Sequence, residues 1–176
     1  MSVPWRSMTR DERLGWATEH WRMAVPLLTT CISLLLMSMP IFTALPVVPH
    51  LAMLSVMIWS LFHPQLMPAW LALPLGIATD AVLGLPMGIN ATLMPVLALG
   101  IGISEQQSGQ HLFVIEWGAA ALVILSYQVL TAGLLSIVTG YAEAGPMLVQ
   151  AVSTGLAYPL MVRAIARLQS RWGVGR

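Results

Sequence analysis

No basic residue occurs between Arg22 and Arg163, and this gap constrains the fold more than any other feature of the chain. All eight basic residues are arginines, gathered at the two ends: Arg6, Arg10, Arg13 and Arg22, then Arg163, Arg167, Arg171 and Arg176. Between them lies a series of long apolar runs. Only 9% of the residues are charged and the mean hydropathy is +0.79, whereas soluble domains carry roughly 25% charged residues. The runs are continuous rather than alternating, which points to membrane helices and away from a membrane β-barrel. Without an interior basic patch, nucleic-acid binding has no footing.

The runs predict an all-α, polytopic integral membrane bundle of six transmembrane helices, over about 23–39, 47–62, 69–83, 91–103, 112–138 and 147–168. The second is short for a crossing, which needs ~20 residues. Residues 1–22 read as a cytoplasmic segment, with Thr9-x-x-Glu12 as a capping box that opens an interfacial helix. Residues 23–168 form the membrane domain and 169–176 a cytoplasmic tail. The charged N-terminal preface contains Asp11, Glu12 and Glu19, and no A-x-A site follows the first run, so the first helix is expected to stay uncleaved. Arginines at both ends place both termini in the cytoplasm. Under that topology Trp5, Trp16, Trp21, Trp59, Trp70, Trp117 and Trp172 all fall at or beyond cytoplasmic helix ends, where tryptophan prefers to sit. The lone Cys31 lies in the first run and reads as a small buried hydrophobe.

One stretch stands out, WLALPLGIATDAVLGLPMGINATLMPVLALGIG at 70–102. Every fourth residue from Ala72 to Gly88 is Ala72, Gly76, Asp80, Gly84 and Gly88. On a helix these positions share a face, and small residues at this spacing let two helix backbones approach closely in a membrane. Asp80 therefore lies on a face turned towards another helix. Two readings of it stand: a functional intramembrane acid, or a structural acid bonded to backbone donors freed by the nearby break. That break is Gly84-Leu85-Pro86-Met87-Gly88, a Gly-Pro-Gly connection between the third and fourth spans. Asn90 is placed to cap the helix that follows.

The string Gly76-x3-Asp80-x3-Gly84-x-Pro86-Met87-Gly88-x2-Ala91 resembles the signature of the MreD family, rod shape-determining membrane proteins of bacteria. That family reads G-x3-D-x3-G-x-P-L-G-x2-A, with a polar residue where this chain has Asn90. The resemblance implies a multi-pass protein of the bacterial inner (cytoplasmic) membrane that works with the single-span protein MreC. It also implies an elongation complex with the actin-like MreB, the glycosyltransferase RodA and its partner transpeptidase, and a role in side-wall peptidoglycan synthesis. The family is not known as an enzyme. Many relatives carry arginines in the loop after the second span, where this chain has Phe62-His63-Pro64. An electrostatic contact made by that loop would therefore differ here.

Other candidates are weaker. Glu116 and Tyr127 share a face of the fifth span to within about 20° and form either a polar stripe along a cavity or a structural pair. Arg163, Arg167 and Arg171 repeat every fourth residue beside Trp172, a pattern suited to anchoring lipid headgroups. Ala151-x3-Gly155 on the sixth span is a small-residue pair suited to helix packing. His20, His50, His63 and His111 have no metal-ligand spacing, and no nucleophile or nucleotide motif is present. No cofactor or metal is expected. A membrane scaffold is the leading reading. The alternative is a substrate-binding membrane component of an energy-coupling-factor type vitamin transporter, a class of similar size that needs a cavity with convergent polar groups.

Overall fold

The computed structural model describes residues 10–39, 48–105, 113–141 and 144–172, with side chains described over 24–39, 48–103, 117–141 and 145–169. The described residues form six α-helices, one 3-10 turn and no strand. They are α1 (Arg10–Ser38), α2 (Leu51–Phe62), α3 (Ala69–Leu83), α4 (Ile89–Glu105), α5 (Phe113–Thr139) and α6 (Ala144–Trp172). Thr9 of the expected capping box lies outside the described residues. α1 runs without interruption past Arg22 and carries Pro26 inside it.

α2 is the centre of the bundle. It packs against α1, α4 and α6, while α1, α3, α4, α5 and α6 follow one another in contact as an arc around it. Its sequence, LAMLSVMIWSLF, is apolar on every face, as a fully surrounded helix requires. Residues Ala52 to Ser60 are all buried. Pro49 and His50 delay its start relative to the expected 47, because the His50 side chain caps the helix by accepting from the N–H of Met53. On the other side of α2, Thr30 and Ser55 hydroxyls bond at 2.9 Å. The Trp59 indole N–H donates to the Thr29 hydroxyl at 2.9 Å. These two bonds tie α2 to α1.

Trp59, in the last turn of α2, is fully buried against α1, because α2 is enclosed by its neighbours. Trp70 and Trp117, on rim helices, are 65% and 45% exposed. Cys31 is exposed rather than buried. It shares the outer side of α1 with exposed Leu28, Ile32 and Leu35, because α1 stands at one end of the arc.

Length separates the helices into two groups. Trp117–Thr139 and Gly145–Gln169 are long and apolar enough to cross a membrane. Ala24–Ser38, Leu51–Phe62, Ala69–Leu83 and Ile89–Ile103 are apolar but shorter. At 12 residues α2 is ~18 Å long, well below a hydrocarbon core of ~30 Å.

α3 and α4 form the most intimate pair. α3 ends at Gly84, whose φ of 65° is left-handed, and Gly88 at φ 116° completes the reversal. Gly76 is where the two helices touch. A Cβ added there would fall on the carbonyl oxygen of Asn90 and within 2.6 Å of the Ala91 Cα. Gly76 of the small-residue stripe is thus spent on a contact inside the chain.

Candidate functional site

Asp80 sits at the end of α3, wholly buried, directly over the start of α4. Its carbonyl closes α3 by accepting from the N–H groups of Gly84 and Leu85. Its carboxylate opens α4. One oxygen accepts from the Asn90 backbone N–H and from the Asn90 side-chain amide, both at 2.9 Å. The other accepts from the Gly88 N–H at 2.9 Å and the Ala91 N–H at 3.2 Å. The first N–H groups of a helix have no partner within it and carry its positive dipole end. A carboxylate is the acceptor best matched to them. One residue therefore terminates one helix and caps the next.

This differs from the expected role of Asn90. Because α4 begins at Ile89, Asn90 is its second residue and cannot be the cap. It works instead as a bridge. Its amide donates to Asp80, and its side-chain oxygen accepts from the hydroxyl of Tyr127 on α5. Tyr127 is 4% exposed and meets the ring of His50 edge-on, centroids 5.8 Å apart. The His50 backbone N–H donates to the Thr154 hydroxyl of α6 at 2.9 Å. Thr154 in turn donates to the Gln150 carbonyl. A continuous run of buried polar groups, Asp80–Asn90–Tyr127–His50–Thr154, thus joins α3, α4, α5, the start of α2 and α6. Nε2 of His50 and Nε2 of Gln128 are buried and have no hydrogen-bond partner.

The other sequence candidates fall as follows. Gly84, Pro86 and Gly88 lie in the α3–α4 connection beside Asp80, and Gly76 lies at the contact between the two helices. The side chain of Glu116 lies outside the described residues, so the stripe with Tyr127 is represented by Tyr127 alone, whose hydroxyl bonds to Asn90. Arg163 and Arg167 are exposed on α6, and the side chain of Arg171 lies outside the described residues. Among the described residues, no three of His, Cys, Asp and Glu gather to hold a metal ion. His50 and Thr154 were missed by sequence reasoning. His50 follows Pro49 at the start of an apolar helix, which is a capping signal, but nothing in the sequence pairs it with Thr154, 104 residues away.

An all-helical, strongly apolar bundle, with two helices long and apolar enough to cross a membrane and a buried carboxylate locking two shorter ones together, fits a membrane protein. A family model described as rod shape-determining protein MreD matches residues 18–162, and the chain belongs to the MreD family. It is thus a membrane protein of a family that determines rod shape and is structural rather than a known enzyme family. No curated protein and no solved structure matched the chain.

Proposed function

We propose that this protein is an inner-membrane scaffold of the bacterial cell-elongation complex. In this reading it acts with an MreC-type single-span protein to hold the machinery of side-wall peptidoglycan synthesis, with MreB, RodA and its transpeptidase as further members, and it catalyses nothing itself. The observation that supports a scaffold over a transporter component is how the buried polar groups are used. Both oxygens of Asp80 and both ends of the Asn90 amide are bonded to other protein groups. A solute-binding protein aims such groups at a cavity; here they fasten helices to one another.

All six helices cross the bilayer in this proposal, with both termini in the cytoplasm. The short α2 fits because it is surrounded by protein from Ala52 to Ser60, so its length need not match the lipid. The arginines at the two ends of the chain support the orientation. The test is depletion of the protein in its own cells, with co-purification of the membrane partner. Loss of rod shape together with recovery of a single-span partner supports the scaffold. Retained rod shape, with specific retention of a vitamin-sized ligand by the purified protein, refutes it.

A further inference from the structure

The outer side of the bundle carries a cleft between α5 and α6, about 240 Å³ in volume. Trp117, Ala121 and Leu125 line it from α5, and Val152, Gly155 and Leu156 from α6. The lining is almost entirely apolar, and Gly155 leaves it open, since a Cβ there would meet nothing within 4 Å. From Trp117 to Leu125 the cleft extends ~12 Å along α5. One leaflet of hydrocarbon is ~15 Å deep, half of the ~30 Å core. The cleft is therefore no longer than one leaflet, whereas the seam for a spanning helix would run through both.

What lies beyond its end gives the occupant a sign. α5 and α6 follow one another through a connection of a few residues and so run antiparallel, which puts Trp117 at the Tyr158 end of the cleft. α6 continues past that end. Arg163 stands seven residues after Leu156 and eleven after Val152, within about 20° of both around the helix and ~10 Å further along it than Leu156. Arg167 stands eleven after Leu156, on the same line. Both arginines are exposed. An apolar slot no longer than one leaflet, with an interfacial tryptophan and two arginines in line at its mouth, has the shape and charge of a phospholipid with an anionic headgroup. We propose that the α5–α6 cleft binds one anionic phospholipid, with an acyl chain lying along Gly155 and the headgroup phosphate at Arg163 and Arg167.

This inference rests on the membrane setting and not on the scaffold reading, so either can fail alone. The test is native mass spectrometry of the full chain released from vesicles of equal parts phosphatidylglycerol and phosphatidylcholine. One phosphatidylglycerol should be retained in preference to phosphatidylcholine. In R163Q/R167Q the preference should fall by roughly 30-fold, about fivefold for each arginine. Gly155→Leu should reduce retention of both lipids, because its side chain fills the slot. A thermal melt accompanies each variant, so that a loss of lipid is compared at equal folding. Equal retention of the two lipids, or an unchanged preference in R163Q/R167Q, overturns the proposal. So does a Gly155→Leu variant that keeps its lipid but loses a copurifying membrane helix or a second copy of the chain, since the cleft would then belong to a protein.

Discussion

Replacing Asp80 should be the most damaging single change in the molecule, and its cost can be worked from the geometry. The carboxylate takes four donors, three at 2.9 Å and one at 3.2 Å, in a fully buried site. Hydrogen bonds to a charged group contribute about 1.5–3 kcal/mol each, so a plain sum would reach roughly 6–12 kcal/mol. The sum overshoots, because burying the carboxylate itself carries a desolvation cost and the freed end of α4 can fray. Removal of one partner from a buried charged network costs about 3–5 kcal/mol in practice, and Asp80→Ala should fall there. Asp80→Asn keeps the shape but replaces one acceptor oxygen with a donor. Whichever way the amide turns, two N–H donors face an NH2 group, and the expected loss is about 2–3 kcal/mol. In a chain of this size 1 kcal/mol corresponds to roughly 2–4 °C in Tm. Melting of the purified protein in lipid nanodiscs should therefore fall by roughly 4–12 °C for Asp80→Asn and further for Asp80→Ala. If Asp80→Asn melted within about 1 °C of the wild type, the four bonds would not be holding α3 to α4 and the reasoning would fail.

Gly76→Ala should destabilise the bundle by several kcal/mol, about as much as overpacking a core, because its methyl group meets the backbone of Asn90 and Ala91 rather than a movable side chain; an unchanged melt would contradict the contact. Tyr127→Phe removes one buried donor to Asn90 and should cost about 1–2 kcal/mol, read in the same assay, with little further loss when added to Asp80→Ala if the two act in one network. In a Cys31→Ser background, single cysteines should react with an impermeant reagent outside intact cells at Glu143 and should not react at Gln107; the reverse pattern would invert the proposed topology.

The sequence showed where Asp80 lies and left two roles open, one of them an acid bonded to backbone donors freed by the nearby break. Spacing by fours placed it on the helix-facing stripe with Gly76, and the Gly-Pro-Gly run marked the reversal. Its role as the cap of α4 depends on how far Gly84 and Gly88 swing the chain at positive φ. Periodicity carries no information about that angle, and so Asn90, the nearer polar residue, looked like the cap. Tyr127 fared similarly. Helical register pairs it with Glu116 on its own helix, whereas its bonded partner Asn90 is 37 residues away on another. The place of Trp59 near a helix end did not disclose that it is buried, although the clue was present. A 12-residue helix with no polar face is the signature of a central element, and such a helix carries its tryptophan into the core. The side of α1 that shows Cys31 to the outside follows from the arc, which no local pattern encodes.

Asp80 fastens the bundle, and in the proposed function the bundle serves cell shape. Both claims meet in a single complementation experiment. Cells depleted of the protein are supplied with the wild type or with Asp80→Ala, and the length-to-width ratio is measured alongside the amount of protein in the membrane. The wild type should restore rods, while Asp80→Ala should leave rounded cells. Rods restored fully by Asp80→Ala at normal abundance, or depleted cells that never lose their rod shape, would contradict this reading.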